Sequence, residues 1–191
     1  MQERKFSYIF DFDGVLVDSM GNYYHGFHSV LMQRYGIDLN EDEFMATAGM
    51  PVIAQWKYLI DRFQLKDANP EELQKEMMRA YLDNLLNTPV IESNANLLRT
   101  LRATGHLCAI ASGSRLNAVQ PLIEKYGLEA DAVITADLVK VGKPDPETFL
   151  LAAKTMGVCP EDCVVIEDAV PGVVAAKAAH MRVMHFTDTR L

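Results

Sequence analysis

The hydrophobic and polar positions of this chain follow two rhythms, one typical of strands and one typical of helices. Short apolar runs, which predict buried strands, lie at residues 8–10, 107–111 and 163–166, and two further short strands are predicted at residues 133–134 and 183–186. Apolar positions spaced three and four apart predict helices between these runs, with ends near Gly105, Gly127 and Gly157. Strands that alternate with helices predict a parallel sheet covered on both faces.

The segment 19–87 interrupts this alternation because its periodic stretches all have helical spacing. Asn40 and Glu43 fit a capping box at one helix start. Gly49 is predicted to close the short helix that follows, and Pro51 to occupy the first turn of the next helix. We therefore interpret the segment as an all-helical insertion placed after the first strand.

The predicted fold class is α/β, with a Rossmann-like parallel-sheet core and a small inserted helical cap. The core is expected to comprise residues 1–18 and 88–191, and the cap residues 19–87. A chain of 191 residues with 49% hydrophobic residues is long and apolar enough to bury such a core.

The formal net charge of −8 argues against nucleic acid or an anionic membrane as the main partner, because both require a basic surface. No apolar run approaches the roughly 20 residues that span a bilayer, and the polar start of the chain does not resemble a signal peptide. Cys108, Cys159 and Cys163 form no CxxC pair, so free thiols are expected. These features favour a cytoplasmic protein, which we expect to be a monomer.

The first candidate for chemistry is the run that begins at Asp11. Side chains alternate along an extended chain, so Asp11 and Asp13 are predicted to point the same way at the carboxyl end of a buried strand. Gly14 allows a sharp turn afterwards. An acidic turn is the ordinary alternative, but two buried carboxylates repel each other unless a cation lies between them.

A second acidic pair, Glu167 and Asp168, follows the apolar run 163–166. The carboxyl ends of parallel strands meet at one edge of a sheet, where α/β folds bind ligands. Together with Asp11 and Asp13, this pair would supply the oxygen ligands that Mg²⁺ prefers. An exposed acidic loop is the alternative explanation when the pair is considered alone.

Two further strand-end features predict a phosphate site. Ser112 and Gly113 follow the run 107–111 and offer a hydroxyl and free main-chain N–H groups before a helix, although serine is also a common helix cap. Lys143 precedes a proline and a helix start, where its amino group can bind a phosphate oxygen, although most lysines are simply solvated. Because all these features fall at strand ends in the predicted sheet, their agreement favours phosphoryl transfer.

This ordered set resembles the four motifs of the haloacid dehalogenase superfamily, carried here by Asp11 with Asp13, by Ser112, by Lys143 and by Glu167 with Asp168. The stretches 145–149 and 167–172 are similar to the subgroup that contains β-phosphoglucomutases and sugar phosphatases. The resemblance implies a Mg²⁺-dependent phosphatase that hydrolyses a small phosphomonoester, such as a sugar or polyol phosphate, through an aspartyl-phosphate.

The resemblance also implies a role for each of these residues. Asp11 would be the nucleophile, and Asp13 would protonate the leaving oxygen and then activate water. The metal would be held by the side chains of Asp11 and Asp168 and by the main-chain carbonyl of Asp13, with Glu167 binding it either directly or through a water molecule. Three groups would bind the transferring phosphoryl: Ser112, the Gly113 N–H and Lys143. Residues near Gly49, together with Tyr23, are expected to contact the substrate from the cap.

Departures from the subgroup's pattern bear on the reaction. Tyr23 stands where the mutases commonly have histidine, and Val52 stands where they tend to have an arginine that grips a second phosphate. Both differences favour a phosphatase over the alternative, a β-phosphoglucomutase-type mutase. A catalytically silent binding module is the alternative from another class. His180 replaces a glycine frequent at that helix end, and we assign it no function.

Overall fold

The computed structural model describes residues 5–186. The chain forms two compact units, one of Met1–Ser19 with Pro89–Leu191 and the other of Met20–Thr88. Residues 1–4, which belong to the polar start of the chain, and residues 187–191 lie outside the described residues.

Five parallel strands form the sheet in the described part of the first unit, which matches the α/β fold class expected from the sequence. They are β1 (Ser7–Phe10), β2 (Cys108–Ala111), β3 (Ala132–Ile134), β4 (Cys163–Glu167) and β5 (Arg182–His185). The strand order is β3-β2-β1-β4-β5, and every neighbouring pair is parallel. β1 therefore lies at the centre, with β2 and β4 on either side.

Eight α-helices accompany the strands within residues 5–186. They are α1 (Met20–Tyr35), α2 (Glu41–Met45), α3 (Val52–Arg62), α4 (Pro70–Asp83), α5 (Glu92–Ala103), α6 (Leu116–Tyr126), α7 (Glu147–Met156) and α8 (Val170–Ala178). The first four belong to the second unit and the last four to the sheet-containing unit. No helix in the described residues combines the length and apolarity needed to cross a membrane.

One face of the sheet packs on α7 and α8. Ile9 of β1 and Val165 of β4 are fully buried in the same cluster as Phe149 of α7 and Ala175 of α8. The central strands β1, β2 and β4 are buried on both faces along nearly all of their length, which explains why they read as apolar runs, whereas the edge strand β5 is largely exposed. Packing of this kind holds the central strands in place, and it thereby also fixes the positions of the residues at their carboxyl ends.

The buried cysteines match the expectation of free thiols. Cys108 and Cys163 are buried, Cys159 is exposed, and all three are unpaired. Burial raises the pKa of the Cys108 and Cys163 thiols to about 11. These two thiols are therefore protonated core groups rather than nucleophiles.

The helical unit has a core of its own. Trp56 of α3 is fully buried, and its ring centroid lies 4.7 Å from that of Phe27 of α1. Leu73 and Met77 of α4 are buried as well, four residues apart on one face of that helix. Trp56 is thus a core residue of this unit.

Helix ends in this unit agree with the sequence in part. The capping box at α2 is confirmed, since the Glu43 N–H donates to Asn40 Oδ1 at 2.9 Å. The prediction that Gly49 closes α2 is wrong, because α2 ends at Met45 and turns with short-range hydrogen bonds lead on to Gly49, whose φ is +81°. Pro51 precedes α3 as its N-cap residue instead of lying within the first turn.

The two chain segments of the sheet-containing unit meet where the helical segment leaves and returns. The Asp18 N–H donates to the Pro89 carbonyl at 2.9 Å, and Val17 forms an antiparallel bridge with Val90. At the far end of the fold His180 has a φ of +59°, the left-handed conformation that histidine tolerates.

Candidate active site

Asp11 lies directly after β1, at the carboxyl edge of the sheet. Its N–H donates to the Ile166 carbonyl of β4 at 2.9 Å, so strand pairing continues through Asp11 and fixes its main chain. The residue is 6% exposed. Burial of this carboxylate requires a compensating charge, which Lys143 supplies: Lys143 Nζ donates to Asp11 Oδ1 at 2.6 Å.

The chain turns sharply after Asp11, as the glycine at position 14 predicted. Gly14 has a φ of +79°, and its N–H donates to the Val17 carbonyl at 2.8 Å. A Cβ atom at position 14 would overlap the carboxyl group of Asp168. Glycine is therefore required here for two reasons, its backbone conformation and the close approach of Asp168.

Lys143 is the cation of the site. Besides Asp11, its Nζ donates to Glu167 Oε2 at 3.2 Å and to the Ala111 carbonyl at 3.3 Å, and it lies 4.7 Å from the centroid of the Phe149 ring. Burial by itself would lower the pKa of Lys143, but the negative charges of Asp11 and Glu167 outweigh it and raise the pKa. The amino group is therefore held in its charged form.

Three carboxyl groups gather beside this lysine. Oxygen atoms of Asp11, Glu167 and Asp168 all lie within 4.8 Å of one another. Burial, followed by the charge of Asp11, raises the pKa of Glu167 and raises that of Asp168 to about 6. One lysine does not balance three ionised carboxylates at this spacing, which is why repulsion adds to burial in raising the pKa values of Glu167 and Asp168.

The oxygen atoms of this cluster fit a divalent cation. Asp168 Oδ1 is buried and has no hydrogen-bond partner, although a buried polar atom normally has one. An oxygen donor in this state, beside two further carboxylates, matches the ligands that hard divalent cations prefer. The three side chains that could hold such an ion are those of Asp11, Glu167 and Asp168.

Asp13 faces a group of hydroxyls and is not part of the three-carboxylate cluster. Its Oδ2 accepts hydrogen bonds from Ser114 Oγ at 2.7 Å and from Ser112 Oγ at 3.3 Å. Burial and the charge of Asp11 raise the pKa of Asp13, and hydrogen bonds from Ser114, Ser19 and Ser112 oppose the shift. A protonated Asp13 could serve as a proton donor at this edge of the sheet.

The remaining site residues predicted from the sequence lie either at the end of β2 or in the helical unit. Ser112 is fully buried at the end of β2, and Gly113 follows it with an exposed main chain. Tyr23 and Gly49 belong to the helical unit, where the Tyr23 ring packs 4.7 Å from that of Tyr81. Their contact with a substrate stays a prediction.

Two residues at the site are absent from the sequence-based prediction. Ser114 makes the shorter of the two serine hydrogen bonds to Asp13, and its spacing of two from Ser112 could have indicated a shared direction. Gly172 of α8 lies so close to Glu167 that a Cβ atom there would overlap the Glu167 carboxyl group. No local pattern in the sequence reveals that approach, since it depends on how α8 packs against β4.

Known proteins resemble this chain along most of its length. Fructose-1-phosphate phosphatase YqaB of Escherichia coli is 34% identical over 183 residues, which cover 95% of this chain and 96% of the relative. A phosphorylated carbohydrates phosphatase of Thermotoga maritima is 32% identical over 178 residues, or 90% of this chain and 80% of the relative.

The fold is also that of solved hydrolases. The crystal structure of a HAD hydrolase, family IA, variant 3, from Entamoeba histolytica superimposes with a TM-score of 0.81 at 25% identity, covering 97% of this chain and 85% of that one. The family model for haloacid dehalogenase-like hydrolases matches residues 7–180, which include every strand-end residue of the site. This chain therefore belongs to the haloacid dehalogenase-like hydrolase family.

Proposed function

We propose that this protein is a Mg²⁺-dependent phosphatase that hydrolyses small phosphomonoesters, namely sugar or polyol phosphates. The observation that carries the proposal is the buried ion pair between Lys143 and Asp11 beside the carboxyls of Glu167 and Asp168. The phosphatase relatives, one described as acting on fructose 1-phosphate and one on phosphorylated carbohydrates, support a sugar phosphate as the substrate.

In the proposed reaction Asp11 is the nucleophile. An oxygen of its carboxylate attacks phosphorus, the bond from phosphorus to the ester oxygen breaks, and that oxygen takes a proton from Asp13. Water then attacks the aspartyl-phosphate while Asp13 accepts a proton from it, so that phosphate leaves and both side chains return to their starting states. Lys143 orients the Asp11 carboxylate through Oδ1 and offers positive charge to the phosphoryl oxygens.

The metal in this proposal is held by Asp11, Glu167 and Asp168, with the main-chain carbonyl of Asp13 as a further ligand. When bound there, such an ion would supply positive charge to the phosphoryl oxygens. Ser112 and the N–H of Gly113 bind the same oxygens from the end of β2. Fixed donors in a buried site stabilise charge without reorganising during the reaction.

The helical unit of residues 20–88 is the cap in this proposal and selects the substrate. Tyr23 and Gly49 are the residues that we assign to substrate contact there. A monophosphate needs no second phosphate grip, which agrees with Val52 at a position where the mutases tend to have arginine. We further propose that the enzyme acts as a cytoplasmic monomer, and sedimentation velocity would test the oligomeric state.

The test is phosphate release from a panel of sugar and polyol phosphates in the presence of Mg²⁺. We expect turnover of at least one member by the native protein and none by Asp11→Asn. Asp38→Asn makes the same change at a side chain that is 82% exposed in the helical unit, and it should retain activity. Turnover of no member, or equal turnover by Asp11→Asn, would contradict the proposal.

The same preparation separates the alternatives. A coupled assay for glucose 6-phosphate formed from β-glucose 1-phosphate would favour a mutase if isomerisation far exceeded phosphate release. A catalytically silent module would neither release phosphate nor trap beryllofluoride at Asp11 in the presence of Mg²⁺.

A further inference from the structure

Ser114 lies two residues beyond Ser112 in the loop that follows β2, and nothing in the proposed reaction uses it. We propose that Ser114 is the positioning residue for Asp13: it holds the carboxyl group of Asp13 in place for proton transfer to the leaving oxygen. This inference rests on the proposed function, in which Asp13 is the acid and base.

The hydrogen bonds that the two serines donate to Asp13 differ in length. Ser114 Oγ lies 2.7 Å from Asp13 Oδ2, the usual length of a good hydroxyl hydrogen bond, whereas Ser112 Oγ lies 3.3 Å from the same atom. Ser114 is therefore the main hydroxyl anchor of Oδ2.

Ser114 is itself fixed from both sides of its main chain. Its N–H donates to Ser112 Oγ at 2.9 Å, and its carbonyl accepts a hydrogen bond from the Ala136 N–H at 3.0 Å. Ala136 begins a short 3₁₀ helix, Ala136–Leu138, that follows β3. The loops that follow the neighbouring strands β2 and β3 thus hold Ser114 in one position. The fixed hydroxyl of Ser114 in turn restrains the carboxyl group of Asp13.

The two serines have different roles because each hydroxyl group carries only one hydrogen. Each hydroxyl has one hydrogen to donate, so Ser112 cannot donate to Asp13 and to a phosphoryl oxygen at the same time. When Ser112 turns to the phosphoryl group, Ser114 still holds Oδ2. The plane of the Asp13 carboxyl group then stays fixed, and the proton that Asp13 gives to the leaving oxygen is carried by Oδ1.

The experiment compares two substrates that differ in how much they need an acid. A sugar phosphate leaves as an alkoxide that must be protonated, whereas p-nitrophenyl phosphate leaves as a stable phenolate. We expect Ser114→Ala to lower kcat/KM at least about 10-fold for the sugar phosphate, a modest share of a general acid's usual contribution, and less than about 3-fold for the aryl ester. Ser114→Thr, which keeps the hydroxyl, should restore most of the loss.

Ser112→Ala is the matched control because it removes the hydroxyl assigned to phosphoryl binding. It should lower kcat/KM for both substrates and weaken binding of orthovanadate, with some additional loss on the sugar phosphate because Ser112 Oγ also accepts the Ser114 N–H. Ser114→Ala, in contrast, should leave vanadate binding within about 2-fold of native. Thermal melting checks each variant for folding. Ser114→Cys, which keeps the volume but donates weakly, takes the same test if Ser114→Ala does not fold.

Three outcomes would overturn the inference. An equal loss of kcat/KM on both substrates in Ser114→Ala would show that the residue acts on the phosphoryl group. An unchanged kcat/KM would show that its hydrogen bond to Asp13 does not contribute to catalysis. A lack of turnover by the native protein would instead remove the proposed function, and the role of Ser114 with it. Selective loss with the sugar phosphate, rescued by threonine, supports the proposal.

Discussion

Lys143 Nζ and Asp11 Oδ1 form a buried ion pair at 2.6 Å between residues that lie 132 positions apart in the chain. The side chains are 11% and 9% exposed, so water screens the pair weakly. The same amino group reaches Glu167 at 3.2 Å. Lys143 therefore links the ends of β1 and β4, the two strands that carry the acidic cluster, and its charge compensates part of the negative charge of that cluster.

Removal of this cation should destabilise the metal-free protein. In EDTA, we expect Lys143→Met to lower the free energy of unfolding by about 3 kcal/mol, because buried carboxylates lose their partner. Mg²⁺ should recover part of this loss, and kcat should fall about 100-fold because a charged donor to the phosphoryl group is missing. Thermal unfolding with and without Mg²⁺, together with steady-state kinetics, measures both effects.

Lys154→Met is the control for that change, since Lys154 lies exposed in the last turn of α7. It should alter stability by less than about 0.5 kcal/mol. Equal stability of the two variants in EDTA would mean that Lys143 does not compensate the acidic cluster.

Divalent metal should stabilise the folded protein through the acidic cluster. At Mg²⁺ concentrations about 100 times the dissociation constant we expect a gain of about 2.7 kcal/mol, seen as a rise in melting temperature of several degrees. Glu167→Gln should lose most of this gain. Glu129→Gln makes the same change at a side chain that is 83% exposed and lies outside the cluster, and it should respond like the native protein. A full Mg²⁺ response in Glu167→Gln would exclude Glu167 as a ligand.

The close approach of Gly172 to Glu167 gives a third expectation. A methyl group at position 172 would overlap the Glu167 side chain, so Gly172→Ala should cost about 1–3 kcal/mol and weaken Mg²⁺ binding about 10-fold by moving that carboxyl group. Gly21→Ala places the same methyl group in α1, where it would meet no atom within 4 Å beyond its chain neighbours and the backbone of its own helix. It should stabilise the protein by up to about 1 kcal/mol. Calorimetric titration with Mg²⁺ and thermal unfolding compare the Mg²⁺ affinity and the stability of the two variants. Equal affinity and equal stability of Gly172→Ala and Gly21→Ala would refute the steric argument.

The loop that carries Lys143 should be sensitive to acid through Glu147. Glu147 Oε2 accepts the N–H groups of Val141 and Lys140 at 2.9 and 3.1 Å, and these hydrogen bonds hold the pKa of Glu147 below its usual range. A carboxyl group with a lowered pKa stabilises the fold above its unfolded-state pKa, and the contribution disappears as the pH falls through the folded-state value. Glu147→Ala should therefore lower the melting temperature at pH 7 and lose this effect below about pH 4.

Glu92→Ala is the matched control, since Glu92 also opens a helix, α5, but its side chain is 67% exposed and pairs only loosely with Arg99 at 3.6 Å. The pH dependence of its melting temperature should be weaker than that of Glu147→Ala. A difference between native protein and Glu147→Ala that stays the same as the pH falls from about 7 to well below about 4 would argue against the charged hydrogen bonds.

The sequence by itself determined the alternation of strands and helices and the residue types at the strand ends. All five strands were predicted to within one or two residues. The central strands were readable as apolar runs because a strand buried on both faces has few polar positions to interrupt it. Asp11, Ser112, Lys143 and Glu167 could be singled out because the carboxyl ends of parallel strands share one edge of a sheet. The capping box at Asn40 and the left-handed His180 were also readable, since both depend on local backbone chemistry.

Only the tertiary structure decided which of these side chains touch. The pairing of Lys143 with Asp11 and Glu167, and the orphaned oxygen of Asp168, depend on strand order and register, which a single sequence does not encode locally. The same holds for the hydrogen bond from Ser114 to Asp13. Short-range patterns determine the elements of this protein, but contacts between residues a hundred positions apart are set by how those elements pack.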